Sequence, residues 1–122
     1  MSESVVKPKI YEFAKQAVLM CKKVEAEQHE YDMTRQLRRS ATSINANYAE
    51  AECAASRTDF LNKLNIAVKE ANESKQWVNL LHDTEYITED EFNPLNNLID
   101  EIIRMLSKSI LTLKKQLNRE LY

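Results

Sequence analysis

Apolar residues recur along the chain at steps of three and four, in four separate runs. Such spacing places them on one face of an α-helix and leaves the other faces to polar side chains. The first run, Ile10, Phe13, Ala14, Ala17, Met20, Cys21 and Val24, predicts a helix over 8–27. Pro8 suits its first turn, where a missing N–H costs little. Residues 1–7 are expected to form a frayed end. Leu19 falls on the opposite face of this helix, and a polar connection over 28–32 follows it.

The second run, Met33, Leu37, Ala41, Ile44, Tyr48 and Ala51, predicts a helix over 32–54. At about 100° per residue these side chains fill an arc of roughly 80°. Beside the arc runs a small and polar row: Ser40, Ser43, Asn47 and Glu50. Ser and Asn are poor helix formers because their side chains compete for backbone hydrogen bonds. A solvated helix gains nothing from them. The row is therefore the candidate element for close helix packing, with hydrogen bonds that fix the register of the fold. A third edge carries Arg35, Arg38 and Arg39 in the N-terminal half. The helix dipole favours acids there, so these arginines need another reason to be present.

Ser56 followed by Asp59 is a capping signal for a third helix over 57–83. Phe60, Leu64, Ala67, Val68, Ala71, Ser74, Val78 and Leu81 form its core stripe, and Ile66, Trp77 and Leu80 form a second seam alongside Glu70 and Glu73. After an acidic stretch over 82–90, Thr88 with Glu91 offers one helix start and Asn93 with Pro94 another. A fourth helix is expected over 89–120, with an adjustment near Asn93 because Pro94 removes a backbone bond. Its apolar face is Leu95, Ile99, Ile102, Ile103, Leu106, Ile110, Leu113 and Leu117, while Leu98, Met105 and Leu111 fall outside.

Four amphipathic helices with short connections imply an all-α fold: one domain over 1–122, built as an antiparallel up-down-up-down four-helix bundle. The absence of Gly among 122 residues agrees, since hairpins depend on it. It also excludes the Gly-dependent phosphate cradles of nucleotide-binding folds. Apolar residues off the core arcs (Leu19, Ile66, Trp77, Leu80, Leu98, Met105) are numerous for a small monomer. Ile66, Trp77 and Leu80 share one face and are the candidate interface of a homo-oligomer.

The formal net charge is −2. Residues 1–55 carry eight basic and eight acidic side chains, and residues 56–122 carry nine and eleven. Neither half is a basic tail, so nucleic-acid contact has to come from local placement. The basic constellation is Arg35, Arg38 and Arg39, joined by Lys22 and Lys23 from the first helix. Guanidinium groups pair bidentately with phosphate and ammonium groups meet it as point charges, which makes these five the candidate nucleic-acid-binding residues. The competing reading is a solvated face balanced by Glu25, Glu27 and Glu30.

Cys21 and Cys53 lack CxxC spacing and read as buried small hydrophobes in a reducing compartment. His29 and His82 have no Glu three residues before them, so the Glu-x-x-His ligand pair of bundle metal sites is absent. Neither has an Arg four to six residues before it, the spacing of certain helical ribonucleases. No Ser or Cys nucleophile has a matching His. The expectation is a protein that is not an enzyme, without catalytic residues, metal, cofactor or small-molecule substrate. With no secretory signal at its start and no run long enough to cross a bilayer, it is expected in the cytoplasm and not on a membrane.

The run RQLRRSATSINANYAEA, followed by SRTDFLNKLNIAVKEANESKQWVNLL, resembles the bacterial four-helix-bundle proteins called 23S rRNA intervening-sequence proteins. The resemblance rests on Gln36-Leu37, Arg39-Ser40, Ser43-Ile44, Asn47, Ala49-Glu50, Asp59-Phe60, Leu64, Ala67, Glu70, Glu73 and Trp77. The opening KIYEFAKQAV fits the family's first helix. The resemblance implies a bundle that assembles into a ring-shaped homo-oligomer, commonly a pentamer. Many relatives are encoded within insertions in large-subunit ribosomal RNA genes. A related group, accessory proteins of diversity-generating retroelements, contacts nucleic acid through a basic surface. Two functions are therefore expected. One is association with RNA or an RNA-handling partner. The other is a protein-interaction or scaffold module without nucleic-acid binding.

Overall fold

The computed structural model describes residues 3–121. Within them lie four helices and no strand: α1 (Glu3–Gln28), α2 (Asp32–Glu52), α3 (Arg57–Asp83) and α4 (Glu89–Leu121). Each helix packs on its neighbour in sequence, and α1 closes on α4. Ion pairs give the directions. Lys7 near the start of α1 meets Glu52 at the end of α2, 3.1 Å away. Glu50 meets Lys63 near the start of α3 at 2.6 Å. His82 near the end of α3 meets Glu89 at the start of α4, and Lys23 near the end of α1 meets Glu91, both at 2.6 Å. Adjacent helices therefore run antiparallel.

One continuous core fills the interior, with Val6, Phe13, Leu37, Ile44, Leu64, Leu81, Ile99 and Leu106 almost wholly buried. Each such side chain contributes about 1.5–3 kcal/mol by leaving water. The core also corrects the start of α1. The helix begins at Glu3, ahead of the expected start at Pro8, and Pro8 lies inside it. Val6 is fully buried one turn before Ile10, so the apolar stripe continues upstream and its burial outweighs the backbone bond lost at Pro8. The expected frayed end is thus helical from residue 3, and residues 1 and 2 lie outside the described residues. In α4, Pro94 also sits inside an uninterrupted helix. Asp90 and Pro94 are exposed, so water replaces the missing donor.

Three capping arrangements set the helix starts. Ser56 Oγ accepts the Asp59 N–H at 3.1 Å, as its spacing predicts. Thr88 and Glu91 form a reciprocal box: the Thr88 N–H donates to Glu91 at 2.8 Å and the Glu91 N–H donates to Thr88 Oγ1 at 3.2 Å. In α2 the N-cap residue Tyr31 makes no side-chain cap, and Glu30 takes over. Its carboxylate accepts the N–H groups of Asp32, Met33 and Thr34, each at 3.1 Å. Three otherwise orphaned donors and the positive end of the helix dipole thus meet one negative charge. Glu30→Ala is expected to cost about 1–2 kcal/mol, at the upper end for a helix cap. Denaturant unfolding monitored by circular dichroism measures it, and an unchanged midpoint would show the cap to be idle.

Without glycine, the left-handed backbone positions fall to other residues: His29 (φ 55°) between α1 and α2, and Glu85 (φ 67°) between α3 and α4. His82 and Phe92 clasp the second of these connections, stacked at 4.0 Å between ring centroids. The cysteines divide. Cys21 is buried, as expected, and burial pushes its thiol up to about 11. Cys53 is exposed, against expectation, because α2 ends at Glu52 and leaves it as the C-cap residue.

Candidate nucleic-acid interface

The five basic candidates are divided among different contacts, and four of them face carboxylates: Arg38 on α1, Arg39 on α3, Lys23 on α4 and Arg35 within α2. Arg38 Nη1 donates to Glu25 Oε2 at 2.9 Å. The same oxygen accepts the hydroxyl of Thr34 at 2.8 Å. Thr34 is fully buried and was not in the apolar stripe, although it lies one turn before Leu37 on the same face. The Thr34 hydroxyl, and then Arg38, hold the Glu25 carboxyl below the usual carboxylate range. Arg39 reaches across to α3, donating to Glu70 at 3.1 Å and to Glu73 at 2.7 Å. These two carboxylates raise its already high pKa further. Trp77 Nε1 donates to Glu73 at 3.1 Å, and Arg39 and Trp77 together lower the Glu73 pKa.

Lys23 is tied to Glu91 of α4, which raises the lysine pKa and lowers that of Glu91. Arg35 lies 3.6 Å from Asp32 one turn back, with both side chains in solvent. Such an exposed pair holds about 0–1 kcal/mol. Lys22 is exposed and has no ion pair among the described residues. The arginines against the dipole rule thus have a structural reason. Arg38 and Arg39 join α2 to α1 and α3, each facing an acid at a fixed height in the bundle.

The polar row divides in the same way. Ser40 and Ser74 are fully buried and their hydroxyls lie 2.7 Å apart, a hydrogen bond across the α2–α3 contact. Ser40 Oγ also lies 3.2 Å from the Leu37 carbonyl. With the Ser40 proton on that carbonyl, Ser74 is the donor of the pair. Glu50 reaches α3 through Lys63. Asn47 and Ser43 do not cross to a neighbour by the bonds they make: Asn47 Nδ2 donates to the Ser43 carbonyl at 2.9 Å, inside α2. An amide one turn away is always within reach and wins over a distant partner.

On α3, Ile66 and Leu80 remain exposed at 41% and 43%, while Trp77 is half-buried. The other off-arc residues separate as well. Leu98 and Met105 pack partly against the core, and Leu19 stays exposed.

No cluster of three or more His, Cys, Asp or Glu side chains suited to a metal occurs among the described residues. A groove of about 480 Å³ between α3 and α4 is lined by Phe60, Met105, Lys108 and Leu113 among others, with one titratable side chain and no partner for it. No described helix is long and apolar enough to cross a membrane.

The cations that stay outside ion pairs were missed in the sequence. Among the described residues, apart from Lys22 and Lys69, they are Arg104, Lys108, Lys114, Lys115 and Arg119, which run from the middle of α4 to its end. Their spacing was legible; their lack of partners was not.

Fold and surface together define a four-helix bundle that carries no assembled catalytic or metal centre among its described residues and in which many charged side chains join one helix to another. The chain belongs to the 23S rRNA-intervening sequence protein family, which matches residues 2–108. It is similar to a protein of unknown function from the S23 ribosomal protein family of Bacteroides thetaiotaomicron VPI-5482, whose crystal structure was determined at 1.70 Å. The two are 50% identical and superimpose with a TM-score of 0.84, over 86% of this chain and 97% of the other. No curated protein matches.

Proposed function

We propose that the protein is a non-catalytic, cytoplasmic helical module that assembles into a ring-shaped homo-oligomer and associates with RNA or with a partner that handles RNA. The supporting observation is how its side chains are committed. Glu25, Glu50, Glu70, Glu73 and Glu91 are each held by a cation on a neighbouring helix. Groups that are fixed in this way hold the bundle together and are not free to move protons for a substrate. The function then lies on the outer surface, and membership of a family named for rRNA intervening sequences makes RNA the first ligand to test. Among the basic candidates on α1 and α2, Lys22 and Arg35 remain accessible for it.

A second reading has its own observation. Ile66 and Leu80 are exposed on either side of Trp77 along α3, a patch of the kind that marks protein contacts. In this reading the module binds protein alone.

Recovery of the protein from its native cells, with light scattering on the eluate and sequencing of any RNA it carries, separates the two. The expected result is a mass several times 14.2 kDa, with RNA that salt releases. A clean monomer would remove the ring. An RNA-free oligomer would remove the RNA reading and leave the protein-interaction module.

A further inference from the structure

We infer that the C-terminal half of α4 is a binding surface for the phosphodiester backbone of a nucleic acid. The inference rests on the RNA reading above and moves the binding surface away from α2.

Arg104, Lys108, Lys115 and Arg119 are exposed and follow one another at steps of four, seven and four along α4. At about 100° per residue they fall within an arc of roughly 60°, and at about 1.5 Å per residue they span roughly 22 Å. Thr112 and the 55% exposed Leu111 border this arc on either side, midway along it. Lys114 flanks it. Over 102–121 the only acid is Glu120, and Arg57 of α3 takes it. Glu101, one turn before Arg104, is taken by Lys9 of α1 at 3.2 Å.

Three alternative reasons for the stripe fail on the geometry. A helix dipole favours cations at a C-terminus, but only within the last turn. Arg104 and Lys108 lie more than two turns before it. Mutual support within the helix is also excluded, since like charges four apart repel. Pairing with the acidic N-terminal half of a second α4 meets a third obstacle. Glu89, Glu91, Asp100 and Glu101 already face His82, Lys23, Lys75 and Lys9 of their own chain, which leaves Asp90 alone to answer four cations. What remains is a row of unneutralised cations on a protein of formal net charge −2, in which Arg35, Arg38 and Arg39 all have acids beside them. Such a row is the complement of a polyanion with regularly spaced charges. The stripe carries no aromatic side chain on which a base could stack, so it holds the backbone and tolerates any sequence.

The test compares three proteins: wild type, the variant Arg104→Gln/Lys108→Gln/Lys115→Gln/Arg119→Gln, and the control Lys69→Gln, an exposed lysine of α3 that belongs to neither basic surface. Fluorescence anisotropy reports affinity for a labelled RNA duplex and a DNA duplex of the same length over a range of salt. Because the substituted side chains make no ion pairs, the melting curve is expected to stay in place. The α4 variant is expected to bind both duplexes at least about tenfold more weakly. Its slope of log K against log salt is expected to shrink by about 3 to 4, at roughly 0.9 for each phosphate that the variant no longer neutralises. The control is expected to keep most of its affinity. Wild-type affinity in the α4 variant, or equal weakening in the control, would overturn the α4 site while leaving RNA binding intact. Loss of DNA binding with RNA binding unchanged would overturn it too, by showing that RNA is held elsewhere. Failure of the wild type to bind any duplex at low salt would instead remove the RNA reading on which the site rests.

Discussion

Ser74→Leu is expected to destabilise the bundle by about 3 kcal/mol or more, through the combined loss of a hydrogen bond and overpacking of a closed helix–helix seam. Ser74 is fully buried and its hydroxyl stands 2.7 Å from that of Ser40. Ala67 and Ala71 precede it on the same face of α3, and Ala41 follows Ser40 on α2, all fully buried. Small side chains let these two helices approach, and the serine pair satisfies the polar atoms that remain. A leucine at position 74 fits only by pushing the helices apart or by adopting a strained rotamer. Ser74→Ala removes the bond alone and is expected to cost about 1 kcal/mol, because Ser40 keeps the Leu37 carbonyl. The double variant Ser40→Ala/Ser74→Ala leaves no unpaired hydroxyl and is expected to be less damaging than the sum of the two single changes. Chemical unfolding of the wild type and the four variants, the single change Ser40→Ala included, measures each step. A leucine variant as stable as the alanine variant would mean that the α2–α3 seam is loose, and the small residues would lose their explanation.

The serine pair shows where sequence reasoning reaches and where it stops. On sequence grounds Ser40 stands in the polar row of α2 and Ser74 in the core stripe of α3, because the 3.6-residue period assigns a face to each position. That the two meet, 34 positions apart, depends on how the helices stack, which periodicity does not encode. The same limit governs the basic edge. On sequence grounds Glu25, Glu27 and Glu30 stand against the arginines as a general balance. The structure gives Arg38 to Glu25, assigns Glu30 to the backbone of α2, and sends Arg39 to α3. The stripe on α4 is the converse case. Its spacing is as regular as that of any apolar face, but a charged face acquires meaning only when its partners are known to be missing. Pro8 misled for another reason: a strong local signal for a helix start gave way to the burial of Val6.

The same interhelical carboxylates make acid lability the second large effect expected. The pKa values of Glu25, Glu73 and Glu91 are all lowered in the folded protein, by the Thr34 hydroxyl, by Arg39 and by Lys23 respectively as the leading causes. A carboxylate with a lowered folded pKa binds its proton more readily in the unfolded chain. Its contribution to stability is therefore complete above the unfolded value, about 4.3 for glutamate, and is lost as the pH falls through the lower folded value. Melting temperature is expected to be flat from about pH 7 down to about pH 5 with respect to these groups, and to fall steadily below about pH 4.3. The three sites are not equal. Glu73 and its partner Arg39 are well exposed, so water and salt screen them and their share is small. Glu25, one-fifth exposed, also holds the buried Thr34 hydroxyl, and its share survives high salt. Glu25→Gln keeps a hydrogen-bond acceptor for Thr34 and removes the charge that Arg38 answers. Its acid limb is expected to be shallower than that of the wild type, and the difference between the two is expected to persist in high salt. Identical acid limbs would place the acid sensitivity elsewhere and reduce the Glu25–Arg38 contact to one surface pair among the others.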